Sequence, residues 1–206
     1  DIGGGSFNTA DMQFAAGQGW DGGQINLAAQ FYMTDGYRPQ SDQERLTLSG
    51  RASFSLSPAI NLALSGRYHH ADANSASYLS ATQFRTDPYG IDANAQNDGA
   101  KKHFGTVRAD LSIALSSAAS LVTFAYGTRQ DFTRWFSRPV STTAWRQREE
   151  SYDRRVYGAG TSLNGTIDAT WAAAPISYAV GTELFRERTD FLFFDGLDRR
   201  RRVSAA

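Results

Sequence analysis

Apolar and polar residues alternate along much of this chain with a period of two. Between Gly23 and Arg38 the odd positions Ile25, Leu27, Ala29, Phe31 and Met33 are apolar, while Gln24, Asn26, Gln30, Tyr32 and Thr34 are polar or amphipathic. That is a strand with one greasy and one wet face. The alternation lasts about eleven residues before Asp35-Gly36 stops it, roughly twice the usual strand length and about what a tilted strand needs to cross a bilayer. The pattern predicts a transmembrane β-strand.

The same period recurs, giving about eight strands in all. Ala10, Met12, Phe14 and Ala16 make an apolar face on the first. Leu46, Leu48, Ala52, Phe54 and Leu56 do so on the third, and Ile60, Leu62, Leu64 and Tyr68 on the fourth. Val107, Ala109, Leu111, Ile113 and Leu115 mark the fifth. On the sixth, Val122, Phe124, Tyr126 and Phe132 are read as the outward face, opposite Arg129 and Asp131. Tyr157, Ala159, Leu163 and Ile167 follow on a seventh, and Ile176, Tyr178, Val180 and Leu184 on an eighth that loses its pattern near Arg186. Trp20, Tyr68, Phe104, Trp171 and Tyr178, near strand ends, suit interfacial aromatic girdles.

Connections alternate between short (18 to 22, 57 to 59, 117 to 119, 172 to 175) and long (35 to 44, 72 to 101, 137 to 150). Outer-membrane barrels have this rhythm because their periplasmic turns are tight and their external loops elaborate. The fold expected is an all-β, antiparallel transmembrane β-barrel segment over residues 1–206, with a long external loop at about 72–101. Both chain ends fall on the long-loop side, which points to an open, curved sheet belonging to a larger barrel. A small autonomous barrel with a structural or adhesive role, and a soluble β-sandwich binding module, are the alternatives.

Composition narrows the chemistry. A mean hydropathy of -0.45 is compatible with a membrane barrel, because averaging over two faces hides the apolar one. Basic and acidic residues number 21 each, so nothing favours nucleic acid as a partner. Cysteine is absent, which removes disulfides and thiolate metal sites. With three histidines and no Gly-x-Ser-x-Gly, the chain is not expected to be an enzyme, and no cofactor is called for. His69, His70 and Asp72 alternate between faces, so they do not converge on a metal. Asp92 to Asn97 begins like a calcium loop but lacks its glycine and its bidentate Glu.

Several phrases carry a family resemblance. Gly5-Ser6-Phe7-Asn8-Thr9 is read as opening a strand, and Phe31-Tyr32-Met33-Thr34-Asp35-Gly36-Tyr37-Arg38 as ending one. Arg45-Leu46-Thr47-Leu48-Ser49-Gly50-Arg51 begins the next, with Leu56-Ser57-Pro58 at its turn. In these the chain resembles the TonB-dependent outer-membrane receptors, matching barrel strands from about the second to the ninth. The resemblance implies active import of a scarce, bulky nutrient, most often a ferric siderophore or other metal chelate. Its partners would be a plug domain of the same parent chain, TonB acting through that plug, the lipid bilayer and lipopolysaccharide.

Two groups of residues become site candidates. The charges Arg45, Arg51, Arg67, Arg108, Asp110, Arg129, Asp131 and Arg154 are assigned to the lumen, where they hold the plug or pair across hydrated space. The long connections offer Tyr37 and Arg38, then Tyr78, Arg85 and Tyr89, then Trp135, Arg138, Trp145 and Arg146. Aromatic and Arg residues are favoured anchors for ligands. The basic run Arg199 to Arg202 offers charge to lipopolysaccharide phosphates.

Overall fold

The structure is a computed structural model that describes residues 1–141, 144–168, 174–196 and 199, together with the backbone of 202–205. Ten strands form one antiparallel sheet whose spatial order is their sequence order. They are β1 Ile2–Gly5, β2 Thr9–Trp20, β3 Gly23–Thr34, β4 Gln43–Ser57, β5 Ile60–Asn74, β6 Gly99–Ser116, β7 Ala119–Pro139, β8 Trp145–Ile167, β9 Ile176–Gly196 and β10 Arg202–Ala205. The eight long strands β2 to β9 are those the alternation predicts. The two short outer ones were missed. β1 is nearly all glycine, which strands disfavour, and β10 lies in the basic tail.

β2 pairs with β1 and β9 with β10, so the sheet stays open and the small closed barrel is excluded. A second packed layer is also missing among the described residues. Ala76 and Ala95 are the only buried apolar residues there, while Phe14, Leu27, Leu48, Leu64, Val107 and Leu184 stand exposed. A soluble sandwich would bury these side chains between two sheets. Here one face is left for something apolar outside the chain.

The short turns are well specified. Asp21 and Gly22 join β2 to β3, with Gly22 at φ 84, a conformation open chiefly to glycine. Ser57 and Ser116 play the same part in two hairpins, each side-chain Oγ accepting from the backbone N–H two residues on, of Ala59 and Ala118. The Gly5 to Thr9 phrase leads into β2, which Thr9 opens, by way of the three-residue turn from β1, in which Phe7 and Asn8 both adopt φ 58, the left-handed region. Phe7 is held there because its carbonyl accepts from Asp35 N–H at 2.9 Å and from Thr34 Oγ1 at 3.2 Å.

The register sorts residues onto two faces, since paired residues share a side. Ile25, Ala52, Leu64, Ala109, Ala125, Ala159 and Leu184 form one unbroken row on the apolar side. This reverses the sequence reading of β7. Val122, Phe124 and Tyr126 pair with Ser112, Asp110 and Arg108, so they lie on the polar side. Arg129 and Asp131 therefore lie on the apolar side, above its greasy part. Phe104, opposite Gln130, is likewise on the polar face and is no girdle residue. Trp171 lies outside the described residues.

The upper edge of the apolar belt moves across the sheet. It reaches Leu46 on β4 and Tyr68 on β5, then Val107, Gly127 and Tyr157 on β6 to β8, and Leu184 on β9. Leu46 pairs with His70, and Tyr157 with Arg186, so each step falls below the hydrogen-bonded row. Strands tilted in a barrel produce this staircase, because rows perpendicular to them climb out of the membrane. Arg186, where the alternation fails, marks the belt's end on β9. Strands of 18 to 23 residues in β6 to β9 exceed what a crossing needs, so their upper halves project beyond the belt.

Candidate functional site

Above the belt, the polar face of β7, β8 and β9 carries an aromatic array. Phe132, Tyr152 and Phe191 are directly opposite one another in register, with Phe193 one step higher. Ring centroids are 5.7 Å apart for Phe132 and Tyr152, 4.1 Å for Tyr152 and Phe191, and 4.1 Å for Phe191 and Phe193, the last edge to face. Cations frame the array. Arg148 lies over the Phe193 ring at 5.3 Å and Arg134 over Phe136 at 4.3 Å, Arg134 also pairing with Glu150 at 3.3 Å. Flat rings beside guanidinium groups are a surface suited to a bulky anionic ligand with oxygen-rich or aromatic parts.

Sequence reasoning read Phe132 as facing outward with Phe124 and Tyr126, which the register reverses, and passed over Tyr152, Phe191 and Phe193 as site residues. Phe191-Leu192-Phe193-Phe194 is apolar on both faces, which erases the period-two signal. The expected loop at 137–150 also stopped the neighbouring strands short. β7 runs to Pro139 and β8 starts at Trp145, so only residues 140–144 connect them. Trp135, Arg138, Trp145 and Arg146 are thus strand residues. Arg138 and Arg146 pair on the polar face, with Arg146 bound to Asp195 at 2.9 Å, whereas Trp135 and Trp145 are on the other side.

A cleft of about 710 Å³ opens between residues 35–42, residues 75–98 and the upper ends of β5, β6 and β7. Tyr37, Arg38, Tyr78, Arg134, Trp135 and Phe136 line it, so three loop candidates meet the wall. Arg38 is committed to structure. Its guanidinium donates to the carbonyls of Gly90 (3.0 and 2.8 Å), Ser77 (3.1 Å) and Ala76 (3.2 Å). It pins the long connection, leaving Tyr37 and the fully exposed Tyr78 as the free aromatic groups. Arg85 and Tyr89 project from the same connection and do not line the cleft.

That connection is more ordered than its composition predicts. Ser80 caps a helix at Ala81–Thr86 through a reciprocal capping box with Gln83. Asp92, in the segment whose calcium-loop likeness the sequence already set aside, caps the one-turn helix Ala93–Ala95, accepting from Asn94 N–H at 2.8 Å and from Gln83 Nε2 at 3.1 Å. These hydrogen bonds favour its ionised form and hold the carboxyl below its ordinary range. Arg199 donates to the carbonyls of Asn97 at 2.9 Å and Asp98 at 2.6 Å, so it serves the loop rather than offering a free charge. Arg200 and Arg201 lie outside the described residues.

The lumen-assigned charges divide. Arg45, Arg51, Arg67, Arg108, Asp110 and Arg154 do occupy the polar face. Arg45 stacks on Tyr32 at 4.3 Å, Arg108 grips Asp110 at 2.7 to 3.1 Å and Arg154 binds both oxygens of Glu187 at 2.9 and 3.0 Å. Among the described residues no group of three His, Asp or Glu converges as a metal site. No described helix is long and apolar enough to cross a membrane.

No protein-family profile and no curated protein matches this sequence. Solved structures do match its fold. The ferric citrate transporter FecA, unliganded, superposes with a TM-score of 0.80 at 12% identity, covering 92% of this chain and 28% of that one. The siderophore receptor PiuA from Acinetobacter baumannii gives 0.82 at 14%, covering 100% and 32%. The ferric-catecholate import receptor Fiu from E. coli K12, open form, gives 0.70 at 14%, covering 95% and 34%. The chain spans about a third of the length of these proteins, and at such identities the likeness is one of fold: an open segment of a large barrel.

Proposed function

We propose that this chain is part of the wall of a Gram-negative outer-membrane importer that takes up a bulky metal chelate, a ferric siderophore being the favoured cargo. The apolar face meets lipid and lipopolysaccharide. The polar face meets a plug domain of the parent chain, through which TonB supplies the energy. The chain catalyses no covalent reaction in this reading.

The observation that carries the proposal is the two-faced single sheet with the Phe132, Tyr152, Phe191 and Phe193 array high on its polar side. A sheet without a second layer needs lipid on one side and a hydrated interior on the other. The fold neighbours add that barrels of this form include proteins named as ferric citrate, siderophore and ferric-catecholate receptors or transporters.

Radio-iron uptake by cells carrying the whole parent protein tests the reading. Saturable uptake of one ferric chelate, abolished by dissipating the proton gradient, is the expected result. Tyr152→Ala and Arg134→Ala should each weaken chelate binding about tenfold, as loss of an anchor does, with surface expression unchanged. Absence of gradient-dependent uptake across ferric chelates of citrate, catecholate and hydroxamate type overturns it.

A further inference from the structure

The aromatic array on the upper polar face sits in a surplus of positive charge. In its own row, Lys102 on β6 lies directly opposite Phe132. One row higher, Arg134 faces Glu150 and binds it at 3.3 Å. Above that, Arg148 stands in register between Phe136 and Asp195, and above it Arg138 faces Arg146. Asp195 is taken by Arg146 at 2.9 Å, not by Arg148. These four rows of β6 to β9 therefore carry five cations and two carboxylates, and Arg134 and Arg146 use both carboxylates. The buried Asp98 is engaged elsewhere, accepting from Ser137 Oγ at 2.9 Å on the opposite side of β7.

Lys102, Arg138 and Arg148 thus have no ion-pair partner among the described residues. Arg138 and Arg148 each keep a buried Nε without a hydrogen-bond partner. Like charges opposite each other, as at Arg138 and Arg146, repel, so an anion bound here relieves strain that the wall itself leaves standing. Two demands fall on one ligand. The rings of Phe132, Tyr152, Phe191 and Phe193 favour flat aromatic groups in offset or edge-to-face contact. The unpaired cations favour negative charge, and a guanidinium fork suits two adjacent oxygens. Arg148 lies 5.3 Å from the Phe193 ring and Lys102 adjoins Phe132, so ring and charge have to belong to the same part of the ligand. A catecholate meets both demands with one group, a benzene ring bearing two adjacent anionic oxygens. Ferric citrate is anionic without rings, and ferric tris-hydroxamates are neutral and need no ring.

We infer that the cargo is a catecholate-type ferric chelate, an aromatic polyanion whose rings lie on the array and whose charge is met by Lys102, Arg138 and Arg148. The inference rests on the reading that this wall belongs to a chelate importer and adds the chemical class that the wall selects.

Equilibrium dialysis of radio-iron chelates against the whole parent protein in detergent tests it. The probes are the ferric complexes of a tripodal catecholamide, of a tripodal hydroxypyridinone and of citrate. The hydroxypyridinone complex keeps the rings and has no net charge, whereas citrate keeps the charge and has no ring. The catecholamide should bind about tenfold more tightly than either, as expected when one of two anchoring features is missing. Lys102→Gln and Arg148→Gln should each shrink its advantage over the hydroxypyridinone about threefold, the size of one exposed charge contact. Phe191→Leu should weaken both ring-bearing chelates alike. The comparison of the three chelates is made on the unsubstituted protein, so it holds even where a variant fails to fold. Citrate or the hydroxypyridinone binding as tightly as the catecholamide, an advantage untouched by both charge substitutions, or ring-bearing chelates insensitive to Phe191→Leu overturns the class. If gradient-driven uptake of another chelate is found in that event, the importer reading stands and only the cargo class fails; if no chelate is taken up, the importer reading fails with it.

Discussion

Arg129 and Arg155 face each other across β7 and β8 on the side of the sheet that also carries Ala125, Ala159 and Leu163. Their position reverses the orientation that side-chain size alone gives β7. Phe124 and Tyr126 are the bulky apolar-looking residues of that strand, yet they belong with Asp110 and Arg108 on the polar side. Arg108 stacks over the Phe124 ring at 4.3 Å, and Tyr126 donates its hydroxyl to Glu183 at 2.7 Å. A lumen wall accommodates aromatic rings when cations and carboxylates supply their partners.

The first prediction uses that reversal. Ala125→Arg places a charge in lipid one step inside the upper edge of the belt and should destabilise the parent barrel by roughly 1 to 2 kcal/mol, between the interfacial and midplane costs, whereas Phe124→Arg should be milder. Leu48→Arg against Ser49→Arg repeats the contrast on β4. The measurement is folding into lipid vesicles at graded denaturant. Greater damage from Phe124→Arg than from Ala125→Arg would restore the orientation read from the sequence.

The eight long strands and the two-faced pattern of β3 to β6 were legible because large residues alternate there with polar ones, whereas the short β1 and β10 and the upper ends of β7, β8 and β9 were not. The facing of β7 was not, because Ala125 and Gly127 are too small to mark a lipid face while Phe124 and Tyr126 mark the other side strongly. Its orientation depends on pairing with Ala109 and Val107, a long-range fact that period alone does not contain. Of the candidate site, Tyr37 and Tyr78 were found as exposed loop aromatics. Arg38 looked equally available, and only the backbone carbonyls around it show otherwise. The array at Phe132, Tyr152 and Phe191 joins residues far apart in sequence, and only the register brings them together.

Arg38 supports the second prediction. Hydrogen bonds from a charged donor contribute about 1.5 to 3 kcal/mol when well shielded, and less here because the residue is only half-buried. Arg38→Ala should therefore loosen residues 75–98 by roughly 1 to 2 kcal/mol and raise protease nicking there about tenfold, since cleavage follows the open population. Protease added to intact cells should reach this segment without permeabilisation. Cleavage confined to permeabilised cells would invert the orientation of the sheet.

A third prediction concerns acid. The Asp92 carboxyl is held below 3.8 chiefly by Asn94 N–H and then by Gln83. A depressed folded value means that the stabilisation is full above the unfolded value and is lost as pH falls through the folded one. The protection of the amide hydrogens from Ser80 to Ala95, taken as exchange relative to the intrinsic rate at each pH, should thus be the same at pH 6 as at pH 5 and should fall below pH 4. Asp92→Asn should remove that acid dependence. An unchanged profile in the variant would assign the effect to another carboxylate.

The fourth prediction is a small effect. Arg154 and Glu187 make a bidentate pair on the polar wall, but their side chains are 48% and 38% exposed. Pairs in water contribute about 0 to 1 kcal/mol. A double-mutant cycle with Arg154→Gln and Glu187→Gln in the parent should therefore give a coupling under about 1 kcal/mol that shrinks further in high salt. A much larger coupling would mean that the plug or another layer dehydrates this part of the wall.

The last prediction concerns the 206-residue chain expressed alone. β1 and β10 end the sheet without pairing with each other, which leaves two rows of backbone donors and acceptors unmatched. The edges are short, 4 residues each, but β2 and β9 continue past them with 12 and 21 residues, so long unpaired stretches remain. Exposed edges recruit further strands, and Leu27, Leu48, Leu64, Val107 and Leu184 add an apolar face with nothing in the chain to cover it. Neither defect is cured by salt or dilution, since both arise from the open single layer. The isolated chain should therefore aggregate in aqueous buffer, and detergent should cover the face without closing the edges, leaving the species polydisperse. Size-exclusion chromatography with light scattering checks this, and a monodisperse, detergent-free monomer would mean that the chain closes or refolds into a different sheet.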